Sequence, residues 1–289
     1  MKCMEKAYAK VNLTLQVGSR RPDGYHAVMS VMQRISLWDT VTVERGTGRD
    51  TLLCSVPVTE NVDDNLCMKA ARAFFAETGT KSDGVTITLE KHIPVQAGLG
   101  GGSSDAAAYL RGVNALCGLG LTPQELRELA LPLGADVPFC VTGGTALATG
   151  IGERLRPVDS RLPLHLVLLK PAVGCSTAAM YRRIDEKGDT LSRRFTAQQA
   201  AAALQSGDLV SLTESLYNIF EQVNDLPELS ETRRLLLQSG AAAAQMTGSG
   251  SAVFGLYRTG EQAQAAARSL SRHRWAVFCH STEGEEAAW

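Results

Sequence analysis

The chain has 289 residues, with 29 lysines and arginines against 30 aspartates and glutamates, which gives a formal net charge of −1. A charge so balanced provides no overall attraction to nucleic acid or to an anionic membrane, so neither is expected as a partner. A hydrophobic content of 44% and a charged content of 20% exclude a disordered chain. A small molecule is the favoured partner.

The first residues lead directly into a strand-like pattern, without a basic segment followed by an apolar one, so no signal peptide is expected. No apolar run is long enough to span a bilayer. The seven cysteines are scattered, without a C-x-x-C pair, which is typical of a reducing compartment. These features predict a soluble, cytoplasmic protein. Neither the cysteines nor the five histidines have zinc-ligand spacing, so a structural metal is not expected.

The first predicted element is a strand over residues 6–17, in which apolar and polar residues alternate strictly. A period of two is typical of a strand that buries one face only. Lys10 and Asn12 lie together on the polar face. A Pro-x-Gly turn in residues 20–26 ends this strand.

The remaining elements follow from apolar runs and from helix start and stop residues. Strands are predicted at 28–37, 40–43, 51–56, 85–90, 145–149, 164–169, 252–257 and 275–280. Helices are predicted at 66–78, 123–133, 196–205, 209–222, 228–238 and 262–271. Because strands and helices mix without strict alternation, the sequence predicts an α+β fold. The turn-rich segment 152–163 predicts the boundary between two domains, residues 1–156 and 157–289.

The clearest functional motif is the segment 93–105, in which four of the five residues 98–102 are glycine. Glycines destabilise helix and strand interiors, but they let backbone N–H groups approach a ligand closely. Ser103 or Ser104 is expected to cap a helix that continues through residues 106–110. A glycine loop that leads into a helix N-terminus binds anions, because free amides and the positive end of the helix dipole converge there. The segment therefore predicts a polyphosphate site, with a flexible hinge as the alternative.

Two further segments have both a functional and a structural interpretation. Asp136 lies among apolar residues just after a predicted helix end, where a turn-forming aspartate is the alternative. Residues 246–254 form a second glycine loop that leads into a strand, and it is equally well explained as a hairpin turn. A phosphate loop, a carboxylate and the strand lysine Lys10 are together the parts that phosphoryl transfer needs, since that reaction depends on positioning and charge neutralisation.

The common phosphate-binding motifs are absent from the sequence. It contains no G-x4-G-K-[ST], which excludes a P-loop NTPase, and the dinucleotide pattern G-x-G-x-x-G fails at Ser103. Instead, the motifs resemble, in order and spacing, those of the galactokinase, homoserine kinase, mevalonate kinase and phosphomevalonate kinase (GHMP) superfamily. The resemblance covers nearly the whole chain and is carried by residues 9–13, 21–26, 98–107, 134–139 and 246–250.

The Gly-Gly-Ser-Ser run and the Asp-Gly-Tyr-His turn are similar to those of one branch of this superfamily. Its members phosphorylate a cytidine-diphosphate derivative of methylerythritol, giving the 2-phosphate, in non-mevalonate isoprenoid (terpenoid) biosynthesis. The resemblance implies an ATP-dependent kinase that uses Mg²⁺. It also implies a two-domain α+β fold, with a ribosomal protein S5 domain 2-like N-terminal domain and a ferredoxin-like C-terminal domain around a shared cleft. No Mg²⁺ ligand is identified by the sequence.

Roles for individual residues also follow from the resemblance. It implies Lys10 and Asp136 as the catalytic pair. Gln96 departs from the small residue expected just before the glycines. The ATP phosphate loop would consist of Pro94, Val95, Gln96, Ala97, Gly98, Leu99, Gly100, Gly101, Gly102, Ser103 and Ser104.

Five residues are implied on the substrate side. Asn12 would lie near the diphosphate or the reacting hydroxyl, and Tyr25 and His26 would lie at the cytosine. Thr177 and Tyr181 would come from the second half of the chain, and Tyr25 and Tyr181 could then close on the base from two sides. A hairpin aromatic packed on its own strand is the alternative for Tyr25.

Two alternative functions remain at this stage. The first is another kinase of the same superfamily, acting on mevalonate, homoserine or a sugar, but none of these offers an aromatic ring for Tyr25 and His26 to recognise. The second is a non-catalytic ATP-binding protein. Such a protein is expected to have lost Lys10, Asp136 or the glycine loop, and all three are present.

Overall fold

The computed structural model describes residues 1–272 and 275–283. Its strands and helices mix without regular alternation, which confirms the predicted α+β class. The strands are β1 (Lys2–Arg20), β2 (His26–Arg45), β3 (Thr51–Cys54), β4 (Val85–Glu90), β5 (Thr145–Thr149), β6 (Arg154–Pro157), β7 (His165–Lys170), β8 (Tyr217–Asn218), β9 (Ala243–Met246), β10 (Val253–Tyr257) and β11 (Trp275–His280).

Helices cover the sheets and connect their strands. They are α1 (Leu66–Thr78), α2 (Gly101–Cys117), α3 (Pro123–Ala130), α4 (Val137–Thr142), α5 (Thr177–Lys187), α6 (Ala197–Ser206), α7 (Leu209–Ser215), α8 (Pro227–Gln238) and α9 (Gly260–Leu270). Within residues 1–272 and 275–283, no helix is both long and apolar enough to cross a membrane.

Two helices begin where their capping residues predicted. The Asn65 side chain accepts a hydrogen bond from the Cys67 N–H at the start of α1, and Gly79 ends that helix in the left-handed region with φ of 65°. Thr122 and Glu125 form a reciprocal capping box at the start of α3.

The N-terminal strands belong to one sheet. Within the described residues it has seven strands, in the order β3-β4-β2-β1-β8, with β5 and β6 added beside β2. The long strands β1 and β2 are antiparallel, and their register shifts on either side of the stretch from Lys10 to Asn12. Such irregularities re-aim side chains, and these occur where the functional lysine lies.

The prediction that β1 buries only one face is wrong in its central part. Lys10, Asn12, Thr14 and Gln16 are all buried, although they lie on the predicted polar face. The reason is that the two glycine-rich segments cover that face: the Lys10 N–H donates to the Leu99 carbonyl (3.0 Å) and the Asn12 N–H donates to Thr247 Oγ1 (3.0 Å). The side chains of Lys10 and Asn12 are thus buried by the two segments and satisfy each other, since Lys10 Nζ donates to Asn12 Oδ1.

The remaining strands form a four-stranded antiparallel sheet, in the order β11-β7-β10-β9. Taken in chain order, β7 leads through helices to the hairpin β9-β10, and α9 then leads to β11. This β-α-β-β-α-β arrangement, with the first and third strands central, confirms the expected ferredoxin-like half.

Alternation along β7 shows how the layers share a core. Leu166 and Leu168 pack into a cluster with Leu13 of β1 and Phe254 of β10, which joins the two sheets. Val167, between them, faces the opposite way, into a cluster covered by α5, α8 and α9. A third cluster packs α1 and α2 on the first sheet.

Several predicted elements differ from the structure. The helix predicted over 209–222 stops at Ser215, and β8 then pairs in parallel with β1. Asn218 ends the helical pattern, since its side chain accepts from the Phe220 N–H and donates to the carbonyls of Met246 and Gly248. The strands predicted at 28–37 and 40–43 are one strand, β2, and the predicted linker 152–163 contains β6.

Candidate active site

Residues from both halves of the chain line one cavity of about 960 Å³. Its walls come from β1 and β2, from the glycine loop, from Asp136, from the first turns of α5 and from the second glycine loop. This volume is at the upper end of what is usual for ligand pockets, which suits a site for two substrates.

Lys10 and Asp136 meet in the wall of this cavity. Lys10 Nζ lies 3.1 Å from Asp136 Oδ2, and it donates to Asn12 Oδ1 at 2.7 Å. Asn12 Nδ2 in turn donates to Ser30 Oγ at 2.8 Å. The lysine side chain is 4% exposed and the aspartate side chain 36% exposed. The carboxylate therefore faces the open cavity while a buried hydrogen-bond chain fixes the ammonium.

The glycine loop determines where the lysine side chain can lie. Gly100 has φ of 72°, in the left-handed region, and a Cβ at this position would lie 3.0 Å from Cγ of Lys10. Asp136 is held differently. It occupies the N-cap position of α4 but makes no capping bond with its side chain, which leaves the carboxylate free to face Lys10.

The start of α2 differs from the prediction that Ser103 or Ser104 caps it. Gly100 occupies the N-cap position without any side-chain hydrogen bond, and both serines lie inside the first turns. Ser104 is buried, and its hydroxyl donates to the Gly101 carbonyl at 2.8 Å. The amides of Gly101, Gly102 and Ser103 have no partner within the helix, so they are available to an anion in the cavity that these residues line.

The second glycine loop is both a hairpin turn and part of the site. It connects the antiparallel strands β9 and β10, and its Thr247 Oγ1 donates to the Gly98 carbonyl at 3.3 Å. A Cβ on Gly98 would lie 2.1 Å from the Thr247 carbonyl oxygen, and a Cβ on Gly248 would lie 2.8 Å from the Gly98 carbonyl oxygen. The two loops can approach this closely only because these positions are glycine.

The side chain of Gln96 is accommodated by a glycine outside the two loops, Gly174. It is the non-glycine residue with positive φ, 53°, among the described residues, and its carbonyl accepts from the Cys175 and Ser251 N–H groups. A Cβ on Gly174 would lie 2.4 Å from Gln96 Oε1. The larger side chain at position 96 is therefore matched by the absence of one at position 174.

Aromatic side chains line the opposite end of the cavity. Tyr181 of α5 stacks on His26, with ring centroids 5.1 Å apart and an interplanar angle of 24°, and meets Phe220 edge-on at 5.0 Å. Tyr25 lies at the rim and is 60% exposed, so it is not packed on its own strand as the structural alternative required. Burial raises the pKa of the Tyr181 phenol to about 12, so the phenol stays neutral.

One residue at this end was missed by sequence reasoning. Asp185 Oδ1 lies 2.7 Å from His26 Nε2, and both residues line the cavity. Asp185 follows Tyr181 by four residues, so both fall on one face of α5. Because the motifs did not predict α5, this spacing gave no usable signal. Thr177, the first residue of α5, was predicted, and its Oγ1 lies 2.8 Å from Ser249 Oγ.

The protein offers few ligands to a magnesium ion. Among residues 1–272 and 275–283, no three His, Cys, Asp or Glu side chains are grouped so that they could hold a metal. Mg²⁺ is bound in many kinase sites by one or two carboxylates together with substrate phosphates and water. The residues present therefore fit a magnesium ion that arrives with the nucleotide and do not fit a dedicated protein cage.

Comparisons with known proteins agree with this geometry. Residues 65–144 match the family described as GHMP kinases N terminal domain, and residues 200–276 match GHMP kinases C terminal. The chain is 46% identical over 268 residues to a 4-diphosphocytidyl-2-C-methyl-D-erythritol kinase of Moorella thermoacetica, covering 91% of this chain and 93% of that one. It is 44% identical over 275 residues to the protein of that name from Desulfitobacterium hafniense, covering 93% of each.

The fold of this chain is also similar to those of kinases with solved structures. A crystal structure of 4-(cytidine 5'-diphospho)-2C-methyl-D-erythritol kinase has a TM-score of 0.81 and 35% identity, covering 98% of this chain and all of the other. A homoserine kinase from Cytophaga hutchinsonii has a TM-score of 0.77 at 17% identity, covering 99% of this chain and 96% of its own, which establishes a shared fold only. The chain belongs to the GHMP kinase family and, within it, to the 4-diphosphocytidyl-2-C-methyl-D-erythritol kinases.

Proposed function

We propose that this enzyme transfers the γ-phosphoryl group of ATP to a hydroxyl of 4-diphosphocytidyl-2-C-methyl-D-erythritol, giving the 2-phosphate in non-mevalonate isoprenoid biosynthesis. The observation that carries the proposal is the position of the Lys10–Asp136 pair, in the wall of a cavity with free helix amides at one end and aromatic rings at the other. Phosphates and a nucleobase are the groups that these two ends can recognise.

In this proposal Asp136 is the general base. Its carboxylate accepts the proton of the attacking hydroxyl, which is the role that a carboxylate facing a cavity can fill. Lys10 is the second catalytic residue. An ammonium group has three donors, and Lys10 directs one to Asn12 and one towards Asp136. The third can hold the substrate hydroxyl, and the positive charge stabilises the alkoxide character that develops there.

The glycine loop, residues 94–104, holds the phosphates of ATP in this proposal. The amides of Gly101, Gly102 and Ser103 would donate to phosphate oxygens, and the helix dipole of α2 adds attraction without any side chain. Mg²⁺ brought with ATP neutralises part of the phosphate charge. Ser104 stabilises the first turn of α2 in this proposal, because its N–H donates to the Gly100 carbonyl and its hydroxyl donates to the Gly101 carbonyl.

Cytidine recognition is assigned to the aromatic end. Tyr25 at the rim provides an exposed ring for stacking, while His26 and Tyr181 provide a polar ring and a second wall. Thr177, with Ser249, and Asn12, which bonds to Lys10, line the same cavity. They are therefore proposed to contact the diphosphate or the alcohol of the substrate.

A domain division at residues 156 and 157 is proposed with this function. The last strand that the N-terminal half gives to the first sheet is β6, whose final residue Pro157 lies just past this division, and the ferredoxin-like sheet begins at β7. The cavity is then shared by both domains, since its walls come from both sides of that division.

A coupled ADP-release assay tests the proposed function. Wild-type protein is assayed with ATP and, in turn, with 4-diphosphocytidyl-2-C-methyl-D-erythritol, mevalonate and homoserine. The proposal predicts ADP release that depends on the cytidine substrate and kcat/KM values for the other two that are lower by orders of magnitude. Comparable values for mevalonate or homoserine would assign the enzyme to another activity of the superfamily.

A further inference from the structure

Three charged side chains form a buried cluster beneath the start of α2, and the reaction proposed above does not use them. Lys91 Nζ bonds to Asp39 Oδ2, and to Asp105 Oδ2 at 2.5 Å. The side chains of all three residues are almost inaccessible to solvent. Fully buried charges are rare unless they are paired, and this cluster holds two carboxylates against one ammonium.

The cluster connects the two ends of the glycine loop. Asp39 lies on β2, and its Oδ1 accepts from the backbone N–H groups of His92 and, at 2.8 Å, Ile93, which lead into the loop. Asp105 lies on α2, the helix that follows the loop. Lys91 bridges these two carboxylates, so the strand before the loop and the helix after it are held at a fixed separation.

Lys91 also lies beside the amides that face the cavity. A Cβ on Gly101 would be 3.5 Å from Lys91 Nζ and 3.0 Å from Cγ2 of Ile93. Lys91, Gly101 and Ile93 all line the cavity. Any shift of the cluster would therefore move the first turn of α2, where the phosphates of ATP are proposed to bind.

We propose that Asp39, Lys91 and Asp105 are positioning residues for the nucleotide: they hold the first turn of α2 against the start of the glycine loop, and Asp105 takes up a proton when ATP binds. The proposal rests on the function proposed above. Proton uptake follows from the geometry, because an excess carboxylate beneath the helix N-terminus repels a polyphosphate that binds there.

The second oxygen of Asp105 provides the site for that proton. Asp105 Oδ1 is buried and has no hydrogen-bond partner among the described residues. Burial raises the pKa of Asp105 to about 7, and the nearby Asp39 charge adds to this, while Lys91 opposes it. The carboxyl group therefore holds a proton more readily than an ordinary carboxyl group, and the negative charge of ATP raises its pKa further.

The thiols and the ammonium group that face Asp105 remain in one charge state near neutral pH. The Cys67 thiol on α1 has a pKa raised well above its usual range by burial, and burial raises the pKa of the Cys140 thiol on α4 to about 12. The carboxylates raise the pKa of Lys91 against the effect of its burial, so the ammonium stays charged. The remaining neighbour, Asp39, accepts hydrogen bonds at both of its carboxylate oxygens, whereas Asp105 Oδ1 accepts none among the described residues, so the proton is assigned to Asp105.

The direction of the pH effect follows from linkage. Since the bound state has the higher pKa, ATP binding takes up a proton, and ATP affinity falls as the pH rises through 7. We expect the Kd of wild-type protein for ATP, measured by calorimetry without the second substrate, to be roughly fivefold to tenfold higher at pH 8 than at pH 6. The terminal phosphate of ATP also titrates, but identically for every variant, so differences between variants isolate the protein group.

Three variants test the proposal. Asp39→Asn places a donor beside Lys91 and is expected to raise the Kd for ATP about tenfold, with the Kd for the cytidine substrate unchanged. Asp105→Asn keeps an acceptor for Lys91 and removes the titrating charge, so at pH 8 it should bind ATP at least as tightly as wild type, without the protein-dependent pH effect. Glu5→Gln is the control, because Glu5 pairs with Arg111, further along the same helix.

Each outcome supports or overturns the proposal. Equal ATP affinity in the wild type, Asp39→Asn and Glu5→Gln would overturn the positioning role. So would a loss in Asp39→Asn that is equal for both substrates, which would indicate a general effect on folding. An Asp105→Asn protein with the wild-type pH dependence would overturn the proton uptake, and this variant remains informative even if Asp39→Asn does not fold. Failure of wild-type protein to bind ATP would instead contradict the proposed function.

Discussion

The two ends of the cavity are built in different ways. The ATP end consists mostly of backbone: Gly98 and Gly248 bring two loops together, and α2 presents amides with no side-chain cap. The cytidine end consists of side chains from separate elements, with His26 from β2, Tyr181 and Asp185 from α5 and Phe220 from the turn after β8.

This difference determines which residue types each end of the cavity requires. A site that binds its ligand through backbone amides needs several glycines close together, because a Cβ would occupy the space that a loop or a ligand needs. A side-chain site needs only that a suitable ring or carboxylate arrives from somewhere in the fold. We therefore expect substitutions at the ATP end and at the Lys10–Asp136 pair to have larger effects than substitutions at the cytidine end.

The largest effect is expected for Asp136→Asn, which keeps the shape of the side chain and removes its basicity. Turnover should fall by about 10²–10⁴, while the Kd for ATP changes little. Single-turnover kinetics and calorimetry measure the two quantities. Asp159→Asn, at an exposed aspartate outside the cavity, is the matched control. Near-normal turnover in Asp136→Asn would assign that residue a structural role.

The next largest effect is expected for Gly100→Ala. The added Cβ would press on Lys10, and a small displacement of a catalytic group lowers the rate by about 10–10². Gly118→Ala is the matched control, because Gly118 has φ of 65° but no heavy atom within 4 Å of its added Cβ. Both variants strain the backbone, and only Gly100→Ala displaces the lysine. Equal kcat values for the two variants would show that the strain alone matters.

A smaller effect is expected at the cytidine end. Tyr25→Ala removes an exposed ring that is available for stacking, which contributes about 1–3 kcal/mol. The KM for the cytidine substrate should rise at least tenfold, about 1.4 kcal/mol, with the KM for ATP unchanged. Phe195→Ala removes an aromatic ring that is 71% exposed and lies outside the cavity, so it is the control. If Tyr25→Ala raised the KM for ATP as much as the KM for the cytidine substrate, stacking of the cytosine on Tyr25 would be contradicted.

The smallest effect is expected for Asp185→Asn. A neutral amide oxygen can still accept from His26 Nε2, but it loses the charge-assisted part of the bond, which contributes about 1 kcal/mol. We expect the KM for the cytidine substrate to rise roughly fivefold, with kcat retained. Glu186→Gln, one residue later on the exposed side of α5, is the control. A change in the KM for ATP instead would indicate that Asp185 acts through the fold.

The difference between the two ends of the cavity also explains which site residues could be predicted from the sequence. The segment 94–104, Lys10 and Asp136 were recognisable from local motifs, and the structure brings them together. Tyr181 and Thr177 were implied only by resemblance. Asp185 was not found, because its contact with His26 joins residues 159 positions apart. The buried cluster around Lys91 was also missed, because its partners Asp39 and Asp105 lie on two other elements, 52 and 14 residues away, and no sequence motif joins them.

Fold prediction failed where tertiary contacts outweigh local pattern. The polar face of β1 looks solvated in the sequence, yet the glycine loops bury it. The segment 209–222 was predicted as one helix, yet Asn218 uses its side chain to bind the second glycine loop, and the helix ends before it, at Ser215. In both places the deciding contact is made by a segment of the site itself.

The most direct test of the central claim is ³¹P NMR of the products formed from ATP and 4-diphosphocytidyl-2-C-methyl-D-erythritol. We expect ADP and one new phosphomonoester resonance, with the diphosphate of the substrate intact and no three-bond proton coupling at the new phosphorus, because C2 carries a methyl group and no hydrogen. The Asp136→Asn protein should form this product at least a hundredfold more slowly. Release of cytidine monophosphate, or a phosphate added to the diphosphate chain, would contradict the account.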